Sequence, residues 1–375
     1  MENTLTPRER FANTLLFKPT DRVPLIDWAI RGATMNEWLK QGYPEGVDTN
    51  LFFNLDPFGV NFPINMEMLP KFEPKTIETD GEYKIWRDEL GAVRKDFIVT
   101  ENEGFVTRSW LSFAVTDRDS FLDMKKRYVA SDANRVSANF FTQCEVINKI
   151  QNHSCTTLRI PFLYWVARDW IGFNDLNIMF YEEPALLEEI FEFITDFSIE
   201  TLKDKLPHME LDYVELLEDM AYKGAPMIGP DMFRKFMLPH YKRMVDFLRS
   251  NGVKFISVDC DGYPEPLIPL WIDAGVDALS PTEIAAGCDP IVLREKYPSF
   301  TLLGGIDKRE LSKDKRAVYR EVMSKVPYLL EKGGGFIPHV DHAVPHNVPF
   351  ANYKYFRELL ACVAKGSAVE EPREC

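Results

Sequence analysis

Apolar and polar positions alternate most clearly from Lys254 to Gly262, which reads Lys-Phe-Ile-Ser-Val-Asp-Cys-Asp-Gly. Side chains on a strand point alternately to opposite faces, so Ile256, Val258 and Cys260 share an apolar face. Ser257, Asp259 and Asp261 share the other. The pattern predicts a buried strand that delivers two carboxylates to its C-terminal end and presents Cys260 to the opposite, helix-facing side. The same rhythm recurs along the chain. Strands are predicted at 22–27, 50–56, 156–164, 211–219, 254–262, 277–283, 300–307 and 335–342. Helices are predicted at 6–17, 184–205, 229–251 and 348–363. The first has Thr6 as its cap, Pro7 in the first turn and Glu9 to complete a capping box. Residues 116–152 also read as helical. Strand–helix alternation of this kind predicts a parallel sheet, and eight such strands in this length predict a closed (β/α)8 TIM barrel of α/β class. Residues 60–115 break the rhythm with short alternating runs around Gly91, which predicts antiparallel hairpins in a β-rich insertion. One domain over residues 1–365 and a flexible tail over 366–375 follow.

Composition narrows the partners. A formal net charge of −14 disfavours nucleic acid and anionic membrane surfaces. The polar, charged start is not that of a signal peptide, and no apolar run is long enough to span a bilayer. Six cysteines without a Cys-x-x-Cys pair read as reduced thiols of a cytoplasmic protein. No glycine pattern for a dinucleotide or a phosphate loop is present.

The candidate chemistry lies at the strand ends. Asp27, Asp56, Glu218, Asp219, Asp259, Asp261, Glu283, Asp307 and Asp341 each close or follow a predicted strand. In a barrel they converge on one rim, where like charges require a cation, a proton or a counter-charge. Arg31, Arg159 and Arg168 are candidate counter-charges. Helix capping is the alternative use of such acids. His339, Asp341 and His342 cluster in the last strand, with His346 close behind. Carboxylate and imidazole donors suit zinc or a similar divalent ion, which makes Asp259, Asp261, Asp341 and His342 candidate ligands. Asp56, Glu218, Asp261, Glu283 and His342 are candidate catalytic groups. Phe58, Tyr164, Trp165 and Arg168 are candidate contacts to a substrate.

Several segments together resemble the uroporphyrinogen decarboxylase superfamily: Thr6-Pro-Arg-Glu-Arg10, Asp21-Arg-Val-Pro24, Asp261-Gly262, Gly304-Gly-Ile-Asp307, His339-Val-Asp-His-Ala-Val-Pro345 and the helix start Pro349-Phe-Ala-Asn-Tyr353. The resemblance runs from about Thr6 to Val363 and implies the (β/α)8 fold. It implies one of two activities, porphyrinogen decarboxylation or cobamide-dependent methyl transfer. The decarboxylase motif Arg-x-Ala-Gly-Arg-Tyr is replaced by Asp27-Trp-Ala-Ile-Arg-Gly-Ala33, which keeps only Arg31, whereas Asp56 resembles the decarboxylase's key Asp. An acidic rim would repel a polycarboxylate by several kcal/mol. Where the coenzyme M methyltransferases carry sulfur ligands to zinc, this chain has Asp259-Cys-Asp-Gly262 and Asp341. Harder oxygen donors suit an ether oxygen better than a thiol. The resemblance therefore implies methyl transfer from a small methoxylated, aromatic substrate to a corrinoid on a partner protein. Decarboxylation of a porphyrinogen is the alternative. A homodimer is the assembly to test.

Overall fold

The computed structural model describes residues 4–27, 30–98, 108–149 and 154–372. Its centre is a curled sheet of seven parallel strands. We number them β1 (Val60–Asn61), β2 (Thr156–Pro161), β3 (Tyr213–Leu217), β4 (Phe255–Asp259), β5 (Ala278–Thr282), β6 (Thr301–Ile306) and β7 (Phe336–Val340), and they lie in that order. Adjacent strands run in register, with Asp259 of β4 opposite Leu217 of β3 and Ser280 of β5. The strands from β3 to β7 are near-continuous apolar runs, as expected where both faces are covered. Helices Leu163–Ile171, Pro184–Leu202, Leu238–Ser250, Lys315–Glu331 and Phe350–Ala364 pack on the outside.

Chain segments near the sheet's two edges make contacts outside the named strands. The Asp56 N–H donates to Leu25 O at 2.8 Å, and Ile30 makes a parallel bridge to Val344. The architecture is α/β and TIM-barrel-like. The strand predicted at 50–56 is not formed. Thr49–Phe52 is a short helix capped by Asp48, and the pairing strand comes later, at Val60–Asn61. The apolar run Leu51-Phe-Phe had suggested a strand. Here Phe52 and Phe53 instead pack around Tyr43 and Phe350. Residues 75–112 contain a four-stranded antiparallel sheet made of Lys75–Thr79, Tyr83–Arg87, Val93–Phe97 and Arg108–Ser112.

The N-terminal helix, Pro7–Leu15, closes the lower end of the sheet. Its capping box forms as the sequence predicts. Phe11 and Leu15 enter a small apolar layer with Tyr213, Phe255, Ala278, Leu303 and Ile337, the inward-facing residues near the strand starts. Residues 369–371 of the tail lie against the Lys315–Glu331 helix, where Glu371 pairs with Arg316 and Arg320. No helix among the described residues is long and apolar enough to cross a membrane.

Candidate functional site

Above the apolar layer the inner face becomes polar. Ser257 Oγ donates to Tyr213 Oη at 2.6 Å, and Tyr213 Oη donates to Glu215 Oε1 at 3.4 Å. Arg159 of β2 then joins two strands, with Nε 2.8 Å from Glu215 Oε2 and Nη2 2.7 Å from Asp259 Oδ2. The Arg159 side chain remains 48% exposed, whereas that of Glu215 is 3% exposed. The Arg159 guanidinium is thus open to solvent on one side while it holds the buried Glu215 and the half-buried Asp259. Burial, and then the charge of Glu215, pushes Asp259 well up from the ordinary carboxylate range, against the pull of Arg159.

Asp261 lies just past the end of β4, not on it. Gly262 makes this turn possible: its φ is +85°, and a Cβ there would stand 2.7 Å from the Ala221 carbonyl group. The two acids predicted to share a face therefore diverge. Asp259 turns inward to Arg159, while Asp261 reaches the chain after β7. His342 Nε2 is 3.1 Å from Asp261 Oδ2, with side-chain exposures of 26% and 39%. The hydrogen bond to Asp261 raises the His342 pKa, with burial opposing it. Arg31, whose own pKa burial lowers, interacts with Asp261 through charge. Next to this pair, Arg168 donates to the Asp219 backbone carbonyl at 2.6 Å and to its carboxylate at 3.2 Å. Asp219 has φ +40°, a left-handed conformation that Asp tolerates better than most residues. Burial raises its pKa, with Arg168 opposing and Asp261 adding to the rise. Cys260 is fully buried among core residues, as the alternation predicts.

Other predicted site residues serve as caps. Glu218 is wholly buried. It accepts from the N–H groups of Tyr164 (2.7 Å) and Trp165 (3.3 Å) and from Tyr241 Oη (2.7 Å). The helix Leu163–Ile171 has no side-chain cap of its own, so this carboxylate serves its open first turn. Burial pushes Glu218 up to about 7. Asp341 accepts from the N–H groups of Ile284 (3.0 Å) and Lys308 (3.2 Å), and burial raises it to about 6. Glu283 bridges Gly262 N–H (3.0 Å) and Lys308 Nζ (2.9 Å). His339 is buried in β7, with Nδ1 2.7 Å from Val340 O.

Asp56 is at the opposite end of the sheet from the mouth. It accepts from Arg10 Nη1 (2.9 Å), Arg22 Nη1 (2.6 Å) and Leu25 N–H (2.7 Å). Because the strand begins after it, at Val60, Asp56 precedes the sheet instead of ending a strand. Phe58 is also low, 5.0 Å from the Phe11 ring. Tyr164, expected in a strand, is instead in the helix that begins at Leu163 and is fully buried. Trp165 is half-buried, with the Arg168 guanidinium 5.4 Å from its ring centre.

The four candidate metal ligands do not converge. Asp259 is held by Arg159, and Asp341 is held by two N–H groups with Lys308 Nζ 3.5 Å away. Only Asp261 and His342 meet. Among the described residues no three His, Cys, Asp or Glu side chains are grouped to hold a metal ion. This donor set is that of an ion-pair network and does not fit a zinc centre. Glu215 and Tyr213 are the members of the network that the sequence reading missed. Their signal was the polar residue at every second position of β3.

The uroporphyrinogen decarboxylase (URO-D) family model matches residues 166–361, which contain the site residues from Arg168 to His342 but not Arg31 or Arg159. The chain belongs to the uroporphyrinogen decarboxylase family. A solved structure described as a methyltransferase from Methanosarcina mazei shares this family member's fold. It is 15% identical, with a TM-score of 0.62, over 95% of this chain and 98% of that one. A B12-independent methionine synthase from Shewanella sp. W3-18-1, in complex with selenomethionine, is 12% identical with a TM-score of 0.41, over 62% and 67%. None of the curated proteins matches the sequence.

Proposed function

We propose that this protein moves a methyl group from a small methoxylated substrate, aromatic in its ring, to a corrinoid carried by a partner protein. The observation that carries the reading is the Asp261–His342 pair, half-open at the strand ends of the mouth. An ether is cleaved slowly because its alkoxide or aryloxide leaves poorly, and a proton delivered in the transition state lifts that barrier. The corrinoid, when docked, supplies a cobalt nucleophile for the methyl carbon. The chain's own residues bind the ether, keep its oxygen near His342 and hold the proton. In the imidazolium form of His342, Asp261 accepts from Nε2–H and the second N–H, at Nδ1, gives its proton to the leaving oxygen. As the methyl–oxygen bond breaks, its electron pair stays on that oxygen, which takes the proton and departs as a phenol.

The charge balance supports this reading over porphyrinogen decarboxylation. Arg159 is bound to Glu215 and Asp259, Arg168 to Asp219 and Lys308 to Glu283. A polycarboxylate would have to compete with these acids for the same cations. Asp56, the residue that resembles the decarboxylase's central acid, is buried at the far end between two arginines. The purified protein is to be given cob(I)alamin with methoxyarenes and, separately, uroporphyrinogen. Methylcobalamin formation that depends on the methoxyarene supports the proposal. Coproporphyrinogen formation without methyl transfer overturns it.

A further inference from the structure

Glu218 and Asp219 follow β3, and both hold the helix Leu163–Ile171. Glu218 takes the N–H groups of Tyr164 and Trp165 in its first turn, and Arg168, one turn on, donates to Asp219. The Glu218 and Asp219 N–H groups both donate to the Asp259 carbonyl, at 3.0 and 3.1 Å, and Met220 N–H donates to Cys260 Sγ at 3.3 Å. The chain after β3 thus runs beside the chain after β4, with Asp219 next to the turn that carries Asp261. Resting on the methyl-transfer reading above, we propose that Arg168 and Asp219 are positioning residues for proton delivery: they form a closed ion pair beside the Asp261–His342 pair, and Arg168 keeps the Asp219 charge from acting on His342, which leaves Asp261 to hold the imidazolium.

Arg168 holds Asp219 at two points. Nη1 donates to the backbone carbonyl at 2.6 Å and Nη2 to Oδ2 at 3.2 Å, so the guanidinium fork is spent on a single residue. The carbonyl bond steadies a backbone at φ +40°. The two side chains are 20% and 31% exposed, so solvent screens their charges only in part. Several charges face His342. Asp261 accepts from it, while Arg31, ahead of the helix Gly32–Lys40, and Lys308, after β6, act on it through charge. Lys308 is itself 2.9 Å from Glu283 and 3.5 Å from Asp341. Asp219 acts through charge on both His342 and Asp261. An unclamped Asp219 would add a second carboxylate in favour of the imidazolium, and an unopposed Arg168 would add a cation against it. Loss of one partner therefore moves His342 in the direction opposite to loss of the other, which a purely structural pair would not do.

The test follows single-turnover methyl transfer from 2-methoxyphenol to cob(I)alamin against pH. Separately, NMR titrates the His342 imidazole without donor or corrinoid, with His342→Gln identifying its resonance. The variants are Asp219→Asn, Arg168→Gln, the two together, and Arg168→Lys. Asparagine tolerates the left-handed backbone, and glutamine keeps a donor for the Asp219 carbonyl. Asp219→Asn is expected to move the rate profile and the His342 midpoint to lower pH by about half a unit, the size of one partly screened charge. Arg168→Gln is expected to move both to higher pH by less, because a freed carboxylate can take up a proton whereas a freed guanidinium keeps its charge. The double variant and Arg168→Lys are expected to stay near the wild type. A His342 midpoint that does not fall in Asp219→Asn, or does not rise in Arg168→Gln, overturns the proposal, even if transfer slows, and leaves methyl transfer standing. If the wild type transfers no methyl group, the functional reading falls, and the NMR midpoints still decide what the pair does to His342.

Discussion

At the lower end of the sheet, acids and arginines meet in closed, buried contacts. Asp56 lies between Arg10 and Arg22, and Asp212 binds Arg8 at 2.7 Å. Burial pushes Asp21 up, but hydrogen bonds and charge from Arg10 more than offset it, and its pKa ends below the ordinary value. At the upper end, acids of the same kind are left short of positive charge. Burial raises Asp219, Asp259 and Asp341, and the nearby Arg or Lys recovers only part of the shift. The lower contacts stabilise the fold. The upper ones are shifted toward the protonated form, the direction in which acid–base chemistry tunes carboxyl groups.

Paired substitutions can break this contrast. His342→Ala is expected to lower methyl transfer by about 100-fold or more, the scale of one general acid, with the thermal midpoint nearly unchanged. Asp56→Ala is expected to do the reverse. It leaves the buried Arg10 and the half-buried Arg22 without their shared partner, which costs about 3 kcal/mol in stability. Urea unfolding alongside turnover per folded molecule separates the two. Similar activity losses per folded molecule would erase the distinction between the ends.

A subtler effect sharpens it. Glu218 is a cap buried at the mouth end, with its pKa raised to about 7. Between about 4.5 and 7 the unfolded chain has released this proton while the folded chain keeps it, so folding stability falls as pH rises through that window. Glu218→Gln removes the titration. The wild type is expected to lose more stability than the variant from pH 4.5 to 7, by on the order of 1–3 kcal/mol. Equal losses would show that Glu218 titrates normally.

Much of the fold was legible because strands β3 to β7 carry the apolar runs that a sheet covered on both faces requires. The early strands were harder to read. Leu51-Phe-Phe has strand-like composition, yet its rings serve an aromatic cluster with Tyr43 and Phe350. That cluster depends on contacts distant in sequence. The site was legible in its residue types and less so in their roles. Alternation correctly placed Asp259 inside and Cys260 outside, but it could not follow Asp261 beyond the end of β4. Nor could it distinguish a helix-capping acid such as Glu218 from one open to substrate, because both stand at the end of a strand. Their partners, Tyr164 N–H and His342, come from other segments.

The central claim is that Asp261 keeps His342 protonated for delivery to the leaving oxygen. Its most direct test is the pH dependence of single-turnover methyl transfer from 2-methoxyphenol to cob(I)alamin, in the wild type and in Asp261→Asn. Asp261 raises the His342 pKa, so the wild-type rate is expected to fall as pH rises through that raised value. In Asp261→Asn the fall should move to lower pH, since the stabilising negative charge is gone. Superimposable profiles, or a fall displaced to higher pH in the variant, would contradict the account.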